Sequence, residues 1–413
     1  MDNTIAQWKA GLKPGLLSGL MAVAFLSMPA VQWAQAVTLT LGQALQVAER
    51  NYPLLKRDLK FIEQQQALIG SAASRPLTGI YISGDEADIQ STKGIYAIAL
   101  AQNFNWPGSK GRQEQYLKQA AQLGNARLEL DQQELRRQVS VAYYEILYAR
   151  EQQEIARQQL ELYTELVELA QLRFDLGETG KIPVLSALGK QKEAALKQQQ
   201  ANQDAEVVLA IFNNWMYSDT LYDVAERRLP APTGFSNWYV NGGHPLLLYQ
   251  QQQARVAEAR IPVEQARLLP QIRTGAQLQM VDGDSPFYGY QLGLNVPLGQ
   301  KAIKARIEAA QVEVDIRQSE LDAVRRGLEN ERRRLITSLQ REQSTLEYLN
   351  KEMLPLANEQ IEASRRAYSQ GAIEYQDYLT ILEQAMGSRE QYVEALHRYH
   401  LLKLSLELLS GRR

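Results

Sequence analysis

The residues able to do chemistry are few. The 413-residue chain has no cysteine and three histidines, His244, His397 and His400. Without thiols there is no thiolate nucleophile, no disulfide and no thiolate metal ligand. His397 and His400 are three apart and share a helix face, but no acidic or Met cluster joins them, so they read as surface histidines without a special role. No Gly-rich phosphate loop precedes a helix. The run "ERRRL" (331–335) is basic, yet Glu329, Glu331 and Glu342 lie on nearby turns, giving a solvated, salt-bridged helix face. An enzyme is the least favoured class, and no cofactor or metal is expected. A net charge of −2 lacks the basic footprint that nucleic acid requires.

If the residues do no chemistry, the elements must serve by shape. The N-terminus reads as a secretory signal: Lys9 and Lys13, an apolar run over 16–26, and the small-x-small site Ala34-Gln35-Ala36. The mature chain is expected to begin near Val37, outside the cytoplasm, and no cysteine follows the signal to carry a lipid. No later stretch reaches the 18 or more apolar residues of a membrane-spanning helix.

The mature sequence is one unit used twice. "RFDLGETGKIPVLSAL", from Arg173, aligns with "RAYSQGAIEYQDYLTIL", from Arg366, at a constant offset: Phe174 falls on Tyr368, Gly177 on Gly371 and Leu185 on Leu379. "NYPLL" (51–55) echoes "GHPLL" (243–247), and Pro76 matches Pro270. Each unit reads as helix, β-hairpin, very long helix, Gly turn and shorter helix. Leu321, Val324, Leu328, Leu335, Leu339, Leu346, Leu349 and Met353 recur at coiled-coil spacing, as do Leu128, Leu135, Val139, Ala142 and Ile146. The segments 110–176 and 301–370 would each run roughly 100 Å at 1.5 Å per residue, the second kinked at Pro355. The opening helix is expected over 41–73. Residues 1–36 form the signal, 37–213 the first repeat (hairpin 77–106, tip 174–184), 214–242 an irregular equatorial collar, and 243–413 the second repeat (hairpin 271–297, tip 368–378).

Each unit's hairpin reads as strand. In "RTGAQLQMVDGDSPFYGYQLGLNV" (273–296), Thr274, Ala276, Leu278 and Met280 share one parity, as do Tyr288, Tyr290, Leu292, Leu294 and Val296. The other parity holds Arg273, Gln277, Gln279, Gln291, Asn295 and glycines. Strands of about 9–11 residues with one apolar and one polar face suit a transmembrane β-barrel. Leu278, Met280, Tyr290, Leu292 and Leu294 would then face lipid. Thr78, Ile80 and Ile82, then Tyr96, Ile98, Leu100, Phe104 and Trp106, give a weaker version in the first repeat. Four strands cannot close in lipid without unpaired backbone, so other copies must complete the barrel: eight strands in a dimer, twelve in a trimer.

These residues carry a resemblance. "LTLGQALQVAERNYPLL" (39–55), "LLPQI" (268–272) and the two Gly tips followed by "PVLSAL" and "DYLTIL" resemble the TolC family of outer-membrane efflux proteins across the whole mature chain. The resemblance implies a mainly α fold with a small β part. A homotrimer would share a twelve-stranded barrel in the outer membrane of a Gram-negative bacterium, above a coiled-coil-like helical tunnel through the periplasm. It implies the exit duct of a tripartite efflux system, partnered by a periplasmic adaptor (membrane fusion protein) and an inner-membrane pump of the RND type. Gly177, Leu185, Gly371 and Leu379 would form the tip and adaptor contact, with Asp377 and Tyr368 at the aperture. Ile373 stands where the family has a linking arginine, Thr380 at a second carboxylate position and Pro183 at an aspartate position, so the lock must differ. The compact chain is similar to cation-efflux members, which suggests heavy-metal cations as cargo. Drugs, organic solvents or proteins exported by type I secretion fit the same architecture. A rival of another class is a periplasmic coiled-coil scaffold, with the Leu292/Leu294 face buried against protein.

Overall fold

The computed structural model describes residues 37–86, 90–91, 93–233, 243–284 and 286–410. The export signal read at 1–36 lies outside them, as do residues 234–242 of the expected collar. In chain order the elements are β1 (Val37–Leu39), α1 (Leu41–Asn51), α2 (Pro53–Ile69), β2 (Gly79–Asp85), β3 (Ile95–Phe104), α3 (Ser109–Asp175) and α4 (Lys181–Met216). There follow β4 (Tyr222–Val224), α5 (Pro245–Ala266), β5 (Gln271–Val281), β6 (Phe287–Asn295), α6 (Lys301–Tyr348), a π-helical turn (Leu349–Met353), α7 (Leu354–Ser369) and α8 (Tyr375–Leu409).

Local chemistry explains most boundaries. Thr40 caps α1 in a capping box with Gln43. The expected single helix over 41–73 is divided, because Pro53 forces the preceding Tyr52 into an extended conformation (φ −60, ψ 119) and then starts α2 itself. The collar begins later than expected: residues 214–216 finish α4. Pro355 has no N–H to bond the carbonyl four residues back. The ladder widens just before it, with the Leu354 N–H donating to the Leu349 carbonyl, so the expected kink takes the form of the π turn.

The predicted seams are the core. Leu135, Val139, Ala142 and Ile146 of α3 and Leu335, Leu339, Leu346 and Leu349 are buried in one mid-trunk cluster with Phe212, Met216 and Tyr399. A second cluster fills the tip, around Leu166, Ala187, Tyr368, Tyr378 and Leu382.

The neighbour order is the same in both layers. Strands β2–β3–β5–β6 pair in that order, all antiparallel, while β1 pairs in parallel with β4 in a separate two-stranded sheet. Next to the sheet, α2 packs on α3, α3 on α5 and α5 on α6. Further down, α4 takes the place of α2 beside α3, and α8 takes the place of α5 between α3 and α6, with α7 beside α8 at the tip. The chain is thus a single-layer stave four elements wide, with β2 and α2/α4 along one edge and β6 and α6/α7 along the other. No helix among the described residues is long and apolar enough to cross a membrane.

Candidate functional site

The sheet has two chemically distinct faces. Paired residues in antiparallel strands share a face, so the register assembles rows. One row is Ile80, Leu100, Ala276, Tyr290, and the next is Ile82, Ile98, Leu278, Tyr288. Above them Tyr96 meets Met280, and below them Thr274 meets Leu292 and Ile272 meets Leu294. Most of these side chains are solvent-exposed within the chain, Tyr290 at 94%, Ile82 at 82% and Leu292 at 76%, with Ile272 and Thr274 half-buried. The opposite face carries Gln271, Arg273, Gln277 and Gln279, with Gln291 and Asn295 from β6 and the small Ala97, Ala99 and Ala101 from β3. None of the described residues covers the Leu292/Leu294 face, contrary to what a self-contained scaffold needs. The outer backbone edges of β2 and β6 have no partner strand within the described chain.

At the far end, the two tips are built alike. Gly177 (φ +75) and Gly371 (φ +72) adopt the left-handed conformation that ends a helix. The Gly177 N–H donates to Phe174 O at 3.0 Å and the Glu178 N–H to Arg173 O at 2.9 Å. The Gly371 N–H donates to Tyr368 O at 3.1 Å and the Ala372 N–H to Ala367 O at 2.8 Å. Both are complete Schellman motifs, and the repeat alignment is therefore a structural equivalence.

Burial breaks that equivalence. Leu185 is 51% exposed, but its counterpart Leu379 is 7% exposed and packed in the tip core, so Leu379 offers no contact surface. Tyr368 is fully buried, stacked on Tyr378 at 5.0 Å, so it does not face an aperture. Asp377 is exposed in the first turn of α8.

Arg173 is the tip residue that sequence reasoning passed over. It is 7% exposed, and its guanidinium lies 4.9 Å above the Tyr368 ring. Its Nη1 donates to the carbonyl of Ile373 at 3.3 Å, and its Nε reaches Glu178 at 3.3 Å. An arginine of the first repeat therefore holds the second through the carbonyl of Ile373. The signal was present, as Arg173 sits four residues before the first tip glycine. Two ion pairs extend the clasp: Arg365–Glu165 at 3.2 Å and Lys190–Glu383 at 2.9 Å. Glu383 raises the Lys190 pKa by hydrogen bonding and charge. Burial, with Glu165 nearby, pushes Tyr378 up to about 12.

The three histidines are structural, and two of them correct the surface assignment. His397 (9% exposed) stacks on Tyr148 at 4.2 Å, and its Nε2 lies 3.2 Å from Glu145. His400 (5%) stacks on Tyr144 at 5.1 Å and donates from Nε2 to the Pro230 carbonyl at 2.8 Å. Burial holds the His400 pKa below the usual imidazole range. The same strap of chain is held by Arg150, which clasps both Asp223 oxygens at 2.6 and 2.7 Å, and by Tyr399 donating to Thr233 O at 2.5 Å. His244 caps α5, its Nδ1 accepting from the Leu246 N–H at 3.2 Å. No group of three or more metal-ligating side chains occurs among the described residues.

Comparison with known proteins agrees with this architecture. Residues 241–412 match the family model described as Outer membrane efflux protein. No curated protein matches. Among solved structures, the outer-membrane channel OprN superposes with a TM-score of 0.76 at 15% identity, covering 90% of this chain and 89% of that one. VceC from Vibrio cholerae gives 0.75 at 17% identity, covering 90% and 96%. CusC gives 0.76 at 13% identity, covering 97% and 99%. At these identities the likeness is one of fold.

Proposed function

We propose that this chain, whose residues 241–412 match the Outer membrane efflux protein model, is the exit duct of a tripartite efflux system. The observation that carries this reading is the continuous apolar face across all four strands, bounded by two unpaired edges. An open edge in lipid leaves backbone N–H and C=O groups unsatisfied at several kcal/mol each. Because the edges differ, β6 of one copy must meet β2 of the next, a head-to-tail contact that closes into a ring. Three copies give twelve strands. The helical edges follow the same rule: Leu196, Val207 and Ile211 on α4 and Val312, Ile316 and Leu356 on α6/α7 are exposed in the isolated chain and would meet across the same joint.

In this arrangement Leu278, Met280, Tyr290, Leu292 and Leu294 face lipid, and the Gln/Asn face lines water. The tips at Gly177 and Gly371, with the exposed Leu185, face a periplasmic adaptor and, through it, an inner-membrane pump, for which the resemblance suggests the RND type. Asp377 is the aperture residue, and Arg173, beneath the surface, holds the two hairpins of one tip together. Efflux needs no catalytic group here, since the energy comes from the pump.

Two measurements test the proposal. The detergent-extracted protein should have the native mass of three copies, and a strain lacking it should accumulate metals or hydrophobic drugs that the intact chain clears. A monomeric protein, or unchanged accumulation of every cargo tried, would refute it.

A further inference from the structure

The four membrane strands contain two charged residues, Asp85 and Arg273. Arg273 lies on the polar face, paired with Asn103 on one side and Gly293 on the other. A Cβ placed at Gly293 would meet nothing within 4 Å, so the space beside Arg273 is open. No carboxylate among the described residues pairs with Arg273. Asp85 is remote. It pairs with Ile95, which pairs with Val281, eight residues along β5 from Arg273. At about 3.3 Å per residue that separation is roughly 26 Å along the strand, well beyond the Debye length of about 10 Å at 0.1 M salt.

We propose that three copies of Arg273 form a cationic ring at the trunk end of the membrane barrel, so that the barrel favours anionic and neutral solutes and disfavours free divalent cations as cargo. This rests on the trimeric duct reading. Twelve strands spaced about 4.8 Å apart and tilted about 40° enclose a cylinder of roughly 12 Å backbone radius. An extended arginine covers a large part of that distance, so its charge acts across the whole lumen. Charged rings of this kind select ions in pores. A heavy-metal cargo would then have to pass complexed or shielded.

The test is ion selectivity of the purified trimer in planar bilayers, under a KCl gradient kept at low ionic strength, where screening is weak. The exposed Asp377 of the tip is an opposing ring, so the measurement is made in wild type and in a D377N background. With D377N the reversal potential should lie on the anion side. R273Q in that background should lower the chloride-to-potassium permeability ratio severalfold, and R273E should carry it to the cation side. Circular dichroism and native mass confirm that each variant is folded and trimeric. Conducting trimers whose reversal potential is the same with Arg273, Gln and Glu would overturn the ring while leaving the duct intact. A protein that forms no channels overturns the duct, and the ring with it.

Discussion

Parity along β6 gives a sharp test of the membrane assignment. Leu292 is 76% exposed in the chain and near the middle of its strand, while Gln291, one residue before it, lies on the opposite face. Burying a leucine is worth about 1.5–3 kcal/mol; three quarters of that, or about 1–2 kcal/mol, is lost when Leu292 is replaced. An aspartate at mid-bilayer costs up to about 3 kcal/mol, and less on a barrel surface that can thin the lipid. Leu292→Asp should therefore cost roughly 4 kcal/mol per copy, about a thousandfold in the assembly equilibrium at 1.4 kcal/mol per tenfold. The penalty recurs in each of three copies. Gln291→Asp places the same carboxylate one residue away, in water, and should cost little. The assay is the amount of heat-modifiable trimer in outer-membrane fractions, with circular dichroism of the purified variants reporting the helices. Normal assembly of Leu292→Asp, or equal failure of both variants, would refute the face assignment.

Two further outcomes follow from the tip and the equator. Arg173→Ala removes a desolvated cation–π contact worth up to about 2 kcal/mol and a charged hydrogen bond worth about 1.5–3 kcal/mol. Amide exchange around 365–380 should accelerate at least tenfold with the mid-trunk unchanged, and Arg173→Lys should recover only part, because it lacks the planar fork. Unchanged exchange would mean that Arg173 is not a clasp. His400 is kept neutral by burial, with Lys403 and His397 adding repulsion and the Pro230 carbonyl favouring protonation. Its folded pKa lies below the unfolded value of about 6.5, so its stabilisation is present above that pH and is lost as pH falls toward the folded pKa. Thermal unfolding of the trimer should weaken on acidification through that window, and less so in His400→Phe, which keeps the stack without titrating; parallel pH profiles would exclude the effect.

What could be read from the sequence was whatever repeats locally. The parity of 288–296 places Tyr288, Tyr290, Leu292 and Leu294 on one face without knowledge of any partner. The recurrence of Leu335, Leu339 and Leu346 at spacings of four and seven likewise needs only helix geometry, and a glycine just past each long helix marks its turn. Long-range packing was not legible. Leu185 and Leu379 occupy one repeat position, yet one is exposed and the other buried, because only α8 is enclosed between α3 and α6/α7. His397 and His400 lie on an amphipathic helix whose covering rings, Tyr148 and Tyr144, are about 250 residues away in sequence. Arg173 finds Tyr368 across a similar gap. Pro53 was a legible break that a long apolar periodicity concealed.

The matched order of strands and helices also bears on how the protein tolerates error. In the proposed trimer each copy supplies the same third of both layers at once, so a faulty copy breaches the membrane ring and the tunnel wall together. Nothing in a neighbour can bridge the gap, because every edge is already committed to one joint. A cell making sound and faulty chains in equal amounts would assemble mostly mixed rings, and only the minority built wholly from sound chains would be whole. Defects at the joints are therefore dominant in their inheritance, while defects confined to one copy's interior, such as a weakened tip core, are diluted by the sound chains beside them.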